Sequence, residues 1–522
     1  MKTDHLTLGI ELGSTNIKAV LLDANLETVA TGTHTWENEL QNGLWTYSLP
    51  AVQNGVRQAF AALAKKVPSH QLTNITAIGI SAMMHGYLAF DKSGHLLTPF
   101  RTWRNTNTAA AAAALSKTFD TNIPLRWSVA HLYQAILDKE PHTNEIAHLT
   151  TLAGYVHWCL TGNSVLGVGD ASGVFPINVA TGSYDKNLLA KFDALAHQHG
   201  FSQPLHTLLP QVLPAGARGG RLAEAGAQWL DPTGTLQPGA LVCPPEGDAG
   251  TGMVATNSVS PRTGNISVGT SIFAMIVLEH ALQSSHPELD IVTTPAGDLV
   301  AMVHCNNGSS ELAAWMEVFR QFTAALGISV TTDEIYAAVF GAALDGAADG
   351  GGLLAYNFLA GEPIVGLEAG RPAVVRSPDS TLSLPNFGRA LLYSVFATLA
   401  LGFRTLRAEE VSIDTLFAHG GLFRTPEAAG HFLAGFVESP IAVAQSAVEG
   451  GAWGIAVLAA YAAAVASGDG RTLAAWLDEV VFANTTFDVY DPNPADLRGI
   501  EAYLGKYLAG LDIERAAILA LE

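Results

Sequence analysis

The sequence predicts an α/β protein built as two similar lobes, and three observations lead there. Short β-rich runs open the chain: Leu6 to Leu12, Ile17 to Asp23 and Glu27 to Thr33 are separated by turn residues, the pattern of strands rather than of a helix. The same texture restarts near the middle in GNISVG, IFAMIVL and DLVAMVHC. In both segments a G-[ST]-[ST] turn joins the first two strands, Gly13-Ser14-Thr15 in one and Gly269-Thr270-Ser271 in the other. A strand, a hydroxyl-rich glycine turn and a second strand, twice in the same order, read as one lobe repeated.

The remaining elements follow along the chain. VQNGVRQAFAALAKKV has helical spacing, TAIGIS (Thr76 to Ser81) reads as a buried strand, and a long helical middle includes the alanine run Ala109 to Ala114. Alanine is the best helix former and offers little chemistry, so that run is structural. Gly and Pro cluster between Ala215 and Gly252, the texture of a domain crossing. The expected lobes are therefore 1–246 and 247–522. The last third is Ala-rich and helical around a second glycine turn, HGGLF, at His419 to Phe423. At 522 residues the chain exceeds what one ordinary core supports.

Composition excludes several classes. The chain has 27 Lys+Arg against 47 Asp+Glu, a net charge of −20, and no basic run. Nucleic acid and anionic membranes are therefore not expected partners. An anionic substrate would need backbone amides, a lone cation or a metal ion. Three widely spaced cysteines, Cys159, Cys243 and Cys305, form neither a metal-binding pair nor a disulfide framework and fit a reducing, cytoplasmic setting. All three read as buried and structural. The opening MKTDHLTLGIELG lacks the profile of a secretory signal. Ala390 to Phe403, bracketed by Arg389 and Arg404, falls short of the roughly 20 residues of a membrane span and reads as a buried helix. Oligomeric state is open, a homodimer included.

The chemistry-bearing residues each carry two readings. A turn of Gly and hydroxyl residues can aim N–H and O–H donors at phosphate oxygens, with Lys18 adding charge; a plain hairpin needs Gly as well. Asp248, between Gly247 and Ala249, is a candidate proton acceptor or an ordinary turn residue or helix cap. His85 after the TAIGIS strand reads as ligand or satisfied structural residue, and Trp103 as sugar platform or core. Gly420 and Gly421 permit close approach of a nucleotide or simply a turn. Gly250, Gly252 and Ala255 spell the G-x-G-x-x-A of a dinucleotide fold, but NSVSPRTGN behind them breaks the helix that motif requires. P-loop and protein-kinase motifs are absent from the sequence.

Taken in order, these segments resemble the FGGY carbohydrate kinases, xylulokinase-like members above all. GIELGSTNIK resembles the first phosphate loop of the superfamily of sugar kinases, heat-shock proteins and actin. SAMMHGYLAFDKSGHLLTPFRTW resembles the sugar-contacting stretch, and LTGNSVLGVGDASGVF the threonine-glycine and aspartate-x-serine-glycine stretch. EGDAGTGM resembles the catalytic glycine-aspartate, SVGTS the second phosphate loop and LLAYNFLAGE the tyrosine-to-glycine-glutamate segment. HGGLFRTPE with EGGAWGIAVLAA resembles the adenosine site and its following helix.

The resemblance implies two actin-like (ribonuclease H-like) ATPase lobes around a central cleft, sugar on the first and nucleotide mostly on the second. It implies ATP and Mg²⁺ as cofactors and a small sugar or polyol as substrate. Asp248 is then the base that deprotonates the attacking hydroxyl and a metal contact. Met84, His85, Trp103 and Asn105 with Asp248 contact the sugar. Gly13, Ser14, Thr15, Asn16, Lys18, Gly269, Thr270 and Ser271 hold phosphates, Gly420 and Gly421 the adenosine, and Glu11 the metal through water. Three positions depart from the family: Glu11 stands for aspartate, Asn105 for aspartate, and Pro363 for arginine. A ketopentose such as xylulose leads as substrate, with ribulose, gluconate or glycerol open. A non-catalytic sugar- and ATP-binding module of the same fold is the alternative from another class.

Overall fold

The hairpin expected at the start of the chain is present: β1 (Leu6–Leu12) runs antiparallel to β2 (Asn16–Leu22), and β2 to β3 (Thr28–Thr35). The computed structural model describes residues 5–445 and 450–521. They form two units, one of residues 5–260, 290–300 and 450–484, the other of 261–289, 301–445 and 485–521.

In the first unit β4 (Ile75–Ala82) lies parallel to β1. The Gly- and Pro-rich stretch supplies three more short strands to the same sheet. β5 (Gly220–Arg221) pairs antiparallel with β6 (Leu241–Val242), while β6 and β7 (Glu246–Gly247) run parallel to β4. β1 and β4 are buried at almost every position rather than at alternate ones, as strands covered on both faces must be. The helix Leu49–Ala64, capped by the Ser48 hydroxyl, buries Val52, Val56, Ala59, Phe60 and Leu63 at helical spacing and packs on β2 and β3. The helix Gly451–Ala466 is apolar all round, which suits burial, and lies on β1 and β4. It sits so close that a Cβ on Gly9 would fall 2.1 Å from the Ala452 carbonyl oxygen, and one on Gly79 2.4 Å from that of Ile455.

The second unit repeats the pattern. β8 (Thr263–Val268) forms a hairpin with β9 (Ile272–Val277), and β10 (Leu299–Cys305) follows beyond β9. β11 (Thr415–His419) lies parallel to β8, as β4 does to β1, and β12 (Ile441–Ala444) and β13 (Phe487–Tyr490) extend that side. The buried helix expected around Ala390 to Phe403 is the core of Leu384–Ala408. It is the one helix among the described residues long and apolar enough to cross a membrane, yet 89% of its apolar window is buried inside the protein. Arg389 is buried within it, bonded to Asp496 at 3.0 Å and to the carbonyls of Ala343 and Leu344, which satisfies a charge that apolar surroundings would reject. Cys243 and Cys305 are buried, but Cys159 is only half-buried, correcting the expectation of three buried thiols.

Gly9→Ala forces a methyl into the Ala452 carbonyl. The expected loss is about 1–3 kcal/mol of unfolding free energy, read by urea denaturation.

Candidate active site

β1, β4 and β7 are parallel, so their carboxyl ends lie at one edge of the sheet, where open α/β sheets bind ligands. Glu11 and the Gly13–Asn16 turn leave β1, Met84 and His85 follow β4, and Asp248 follows β7.

Asp248 opens the helix Asp248–Ala255. The G-x-G-x-x-A residues lie inside that helix rather than in a turn before it. The Asp248 carboxylate accepts the N–H of Met84 at 3.1 Å and of Ala249 at 2.9 Å, tying the exit of β4 to that of β7. Asp248 is open to solvent on one side and closely surrounded by protein otherwise. Lost hydration raises its pKa, and the two amide bonds oppose the rise.

Glu11 is the second carboxylate at this edge. Burial first, then the charge of Asp248, raises its pKa to about 7. Lys18 faces it across the β1–β2 register and pulls the other way. Its Oε2 accepts the Ala452 N–H at 3.1 Å, so Glu11 caps the N-terminus of Gly451–Ala466, whose own Gly450 provides no side-chain cap. Two neighbouring carboxyls, both resisting ionisation, are the donor set that a divalent cation would relieve. Among the described residues no group of three or more His, Cys, Asp or Glu surrounds one point, so phosphate and water would complete the shell, as suits Mg²⁺.

The sugar candidates separate. Met84 and His85 are buried. His85 has φ 70°, a left-handed backbone unusual for a side-chain-bearing residue. Its Nδ1 lies 3.3 Å from the Gly173 carbonyl, which requires the proton on Nδ1 and leaves Nε2 as acceptor. Burial, then Arg126, holds its pKa well below the usual value, so the ring is neutral. A Cβ on Gly173 would meet that nitrogen at 2.6 Å; the aspartate-x-serine-glycine stretch makes room for the histidine. Trp103 is 38% exposed and donates its indole N–H to the Ser14 Oγ at 3.3 Å, so it is not core. Asn105 does not join them. It is buried, its Oδ1 accepts from the Trp45 N–H at 2.9 Å, and its Nδ2 donates to the Trp45 and Thr102 carbonyls. Its amide is spent on holding the chain.

Two buried carboxyls escaped assignment from sequence. Glu246 accepts the amides of Gly169 and Asp170, and Asp170 accepts the Thr151 hydroxyl. Burial raises Glu246 to about 8 and Asp170 to about 7, each further raised by a neighbouring acid, Asp170 for the first and Asp248 for the second. Their place two residues before Asp248 and inside the aspartate-x-serine-glycine stretch was the available signal.

In the second unit Gly269 and Thr270 are exposed and Ser271 half-buried at the β8–β9 turn. Gly420, at φ 119°, passes so near the end of β8 that a Cβ would lie 2.1 Å from the Val268 carbonyl. That contact sets the Gly420–Gly421 turn beside the Gly269–Ser271 turn. Asn307, gripped by Glu362 through its N–H and amide, and Asn357, bonded to the Gly308 carbonyl, fix the loop behind them. Glu449, which opens the EGGAWG segment, lies outside the described residues.

A xylulose kinase of Escherichia coli (strain K12) is 25% identical over 293 residues, 54% of this chain and 56% of that protein, so the match spans about half of that curated relative. Crystal structures of a xylulose kinase from Rhodospirillum rubrum and a gluconate kinase from Lactobacillus acidophilus superpose with TM-score 0.77 at 18% identity. The first covers 97% of this chain and 98% of its own, the second 98% of each. These likenesses show the two-lobed, actin-like ATPase fold. The family's N-terminal domain model matches residues 6–233 and its C-terminal domain model residues 264–463: the chain belongs to the FGGY family of carbohydrate kinases.

Proposed function

We propose that the protein transfers the γ-phosphoryl group of ATP to a hydroxyl of a small sugar, with Asp248 as general base. The observation that carries this reading is the tie between the Asp248 carboxylate and the Met84 N–H, which sets a proton acceptor beside His85 at the carboxyl ends of the parallel strands. Met84 and Trp103 offer apolar surface to a carbon skeleton, and the neutral His85 accepts a hydrogen bond from a sugar hydroxyl through Nε2. Asn105 supports this surface from behind.

As the O–P bond forms, the attacking hydroxyl loses its proton to Asp248. Gly13, Ser14, Thr15, Asn16 and Lys18 in the first unit, and Gly269, Thr270 and Ser271 in the second, are the proposed phosphate-holding groups. Gly420 and Gly421 let adenosine approach the backbone. Mg²⁺, bound by Glu11 through water and by Asp248, would supply charge to offset that of the transferring group.

A ketopentose such as xylulose is the leading substrate, supported by the Met84-His85-Gly86 segment and the xylulose kinases among the relatives; the gluconate kinase keeps a sugar acid as the alternative. The reaction is read as cytoplasmic, with a homodimer as the candidate assembly.

An ADP-release assay over ketopentoses, aldonates and polyols is expected to identify one class of acceptor. Asp248→Asn is expected to lower kcat about 10²–10⁴-fold with ATP binding retained. Near-normal turnover removes the base, and silence across the panel with ATP bound favours the non-catalytic module.

The pH profile carries a sign. Asp248 works ionised, and burial raises its pKa, so protonation disables it at higher pH than an ordinary aspartate. The acid limb of kcat/KM is expected to have its midpoint above about 4. A midpoint at or below that value contradicts the account.

A further inference from the structure

The turn between β1 and β2 holds its shape without left-handed backbone. None of Gly13, Ser14, Thr15 or Asn16 has a positive φ, although short hairpin loops match the twist of their strands through such residues. Its shape is imposed from outside. The carbonyls of three consecutive residues are each taken by the segment that follows β3. The Trp36 indole N–H donates to the Gly13 oxygen at 2.8 Å, the Tyr47 hydroxyl to the Ser14 oxygen at 2.6 Å, and the Trp36 backbone N–H to the Thr15 oxygen at 3.1 Å. Trp36 and Tyr47 are themselves buried and stacked, with ring centroids 4.1 Å apart at 23°. Among the described residues, the backbone N–H groups of Ser14 and Thr15 have no hydrogen-bond acceptor.

A carbonyl oxygen repels phosphate and an amide N–H attracts it. A turn whose carbonyls are all drawn to one side presents its free amides to the other. The second unit shows the same arrangement by different chemistry. There the Thr270 carbonyl is taken by the Gly308 N–H at 2.7 Å, and that of Gly269 by the Ser309 N–H at 2.8 Å and hydroxyl at 2.9 Å. Main chain does at the second turn most of what two aromatic side chains do at the first.

We propose that Trp36 and Tyr47 are positioning residues for the phosphate chain of the nucleotide, holding the Ser14 and Thr15 amides toward it by sequestering the carbonyls of the turn. This rests on the kinase reading. Neither side chain touches substrate; both act through the turn. Losing one tie leaves a carbonyl free to rotate toward the anion or buried without a donor.

The test measures Kd of a non-hydrolysable ATP analogue and of ADP on the full chain, with sugar KM and melting temperature, for Tyr47→Phe and Trp36→Phe. Both keep a ring for the stack and delete one donor. Expected is about a tenfold weaker grip on the triphosphate analogue and a weakened grip on ADP, with sugar KM and melting temperature close to wild type. Unchanged analogue affinity in both variants overturns the proposal, as does equal weakening of every ligand with a lowered melting temperature. Wild-type turnover with unaltered ATP affinity in the variants leaves the kinase reading standing while the positioning role falls. No analogue binding by the wild type sinks both.

Discussion

The depth at which the helix Gly451–Ala466 seats on its sheet governs the first unit's chemistry. Gly9 and Gly79 remove the side chains that would hold it off, and a Cβ on Gly454 would lie 2.2 Å from the Thr251 carbonyl. One helix thus contacts β1, β4 and the helix that begins with Asp248. Its first turn supplies the Ala452 N–H to Glu11, and its second bears on the peptide of Thr251, three residues after Asp248. Thr251 also bonds Ser81 on β4 at 3.1 Å. Both carboxylates therefore lean on the close packing of one helix, and interiors are too dense for such packing to yield locally.

An acidic chain proposed to handle an anion faces an electrostatic conflict. Net charge is −20, and the candidate site gathers two of those acids, Glu11 and Asp248, at one sheet edge. On the proposed reading, fixed main-chain dipoles rather than clustered lysine and arginine meet that conflict. In the first unit the Ser14 and Thr15 amides are fixed main-chain dipoles, and Lys18 stands opposite Glu11 across the strand register. Such groups need little reorganisation when charge develops on a transferring phosphoryl group.

Local features were legible because their causes are local. Period-two apolar runs, the glycine turns and the helical spacing of Val52, Val56 and Phe60 each follow from the geometry of a few adjacent residues. Asp248 and the Met84-His85 pair were legible only as members of an ordered series. The long-range contacts at the candidate site lay beyond such patterns. Glu11 meets a helix amide 441 positions away, and nothing around it announces a cap. The bonds of Asn105 to Trp45 and Thr102 have no local signature in the sequence. Trp36 and Tyr47 sit singly in irregular chain, where an aromatic residue has no periodic partner to reveal what it holds.

The buried carboxyls Asp170 and Glu246 make folding a proton-binding event. In the unfolded chain both ionise near the ordinary carboxylate range, about 4; folded, their affinities lie at about 7 and about 8. The stability they contribute is fully present below the unfolded values and is lost as pH rises through the folded ones. Between those limits the native protein carries protons that its unfolded chain would release. Its effective charge there is less negative than its composition states, and mild acid, which undoes proteins held by ionised carboxylates, favours the native state at this pair.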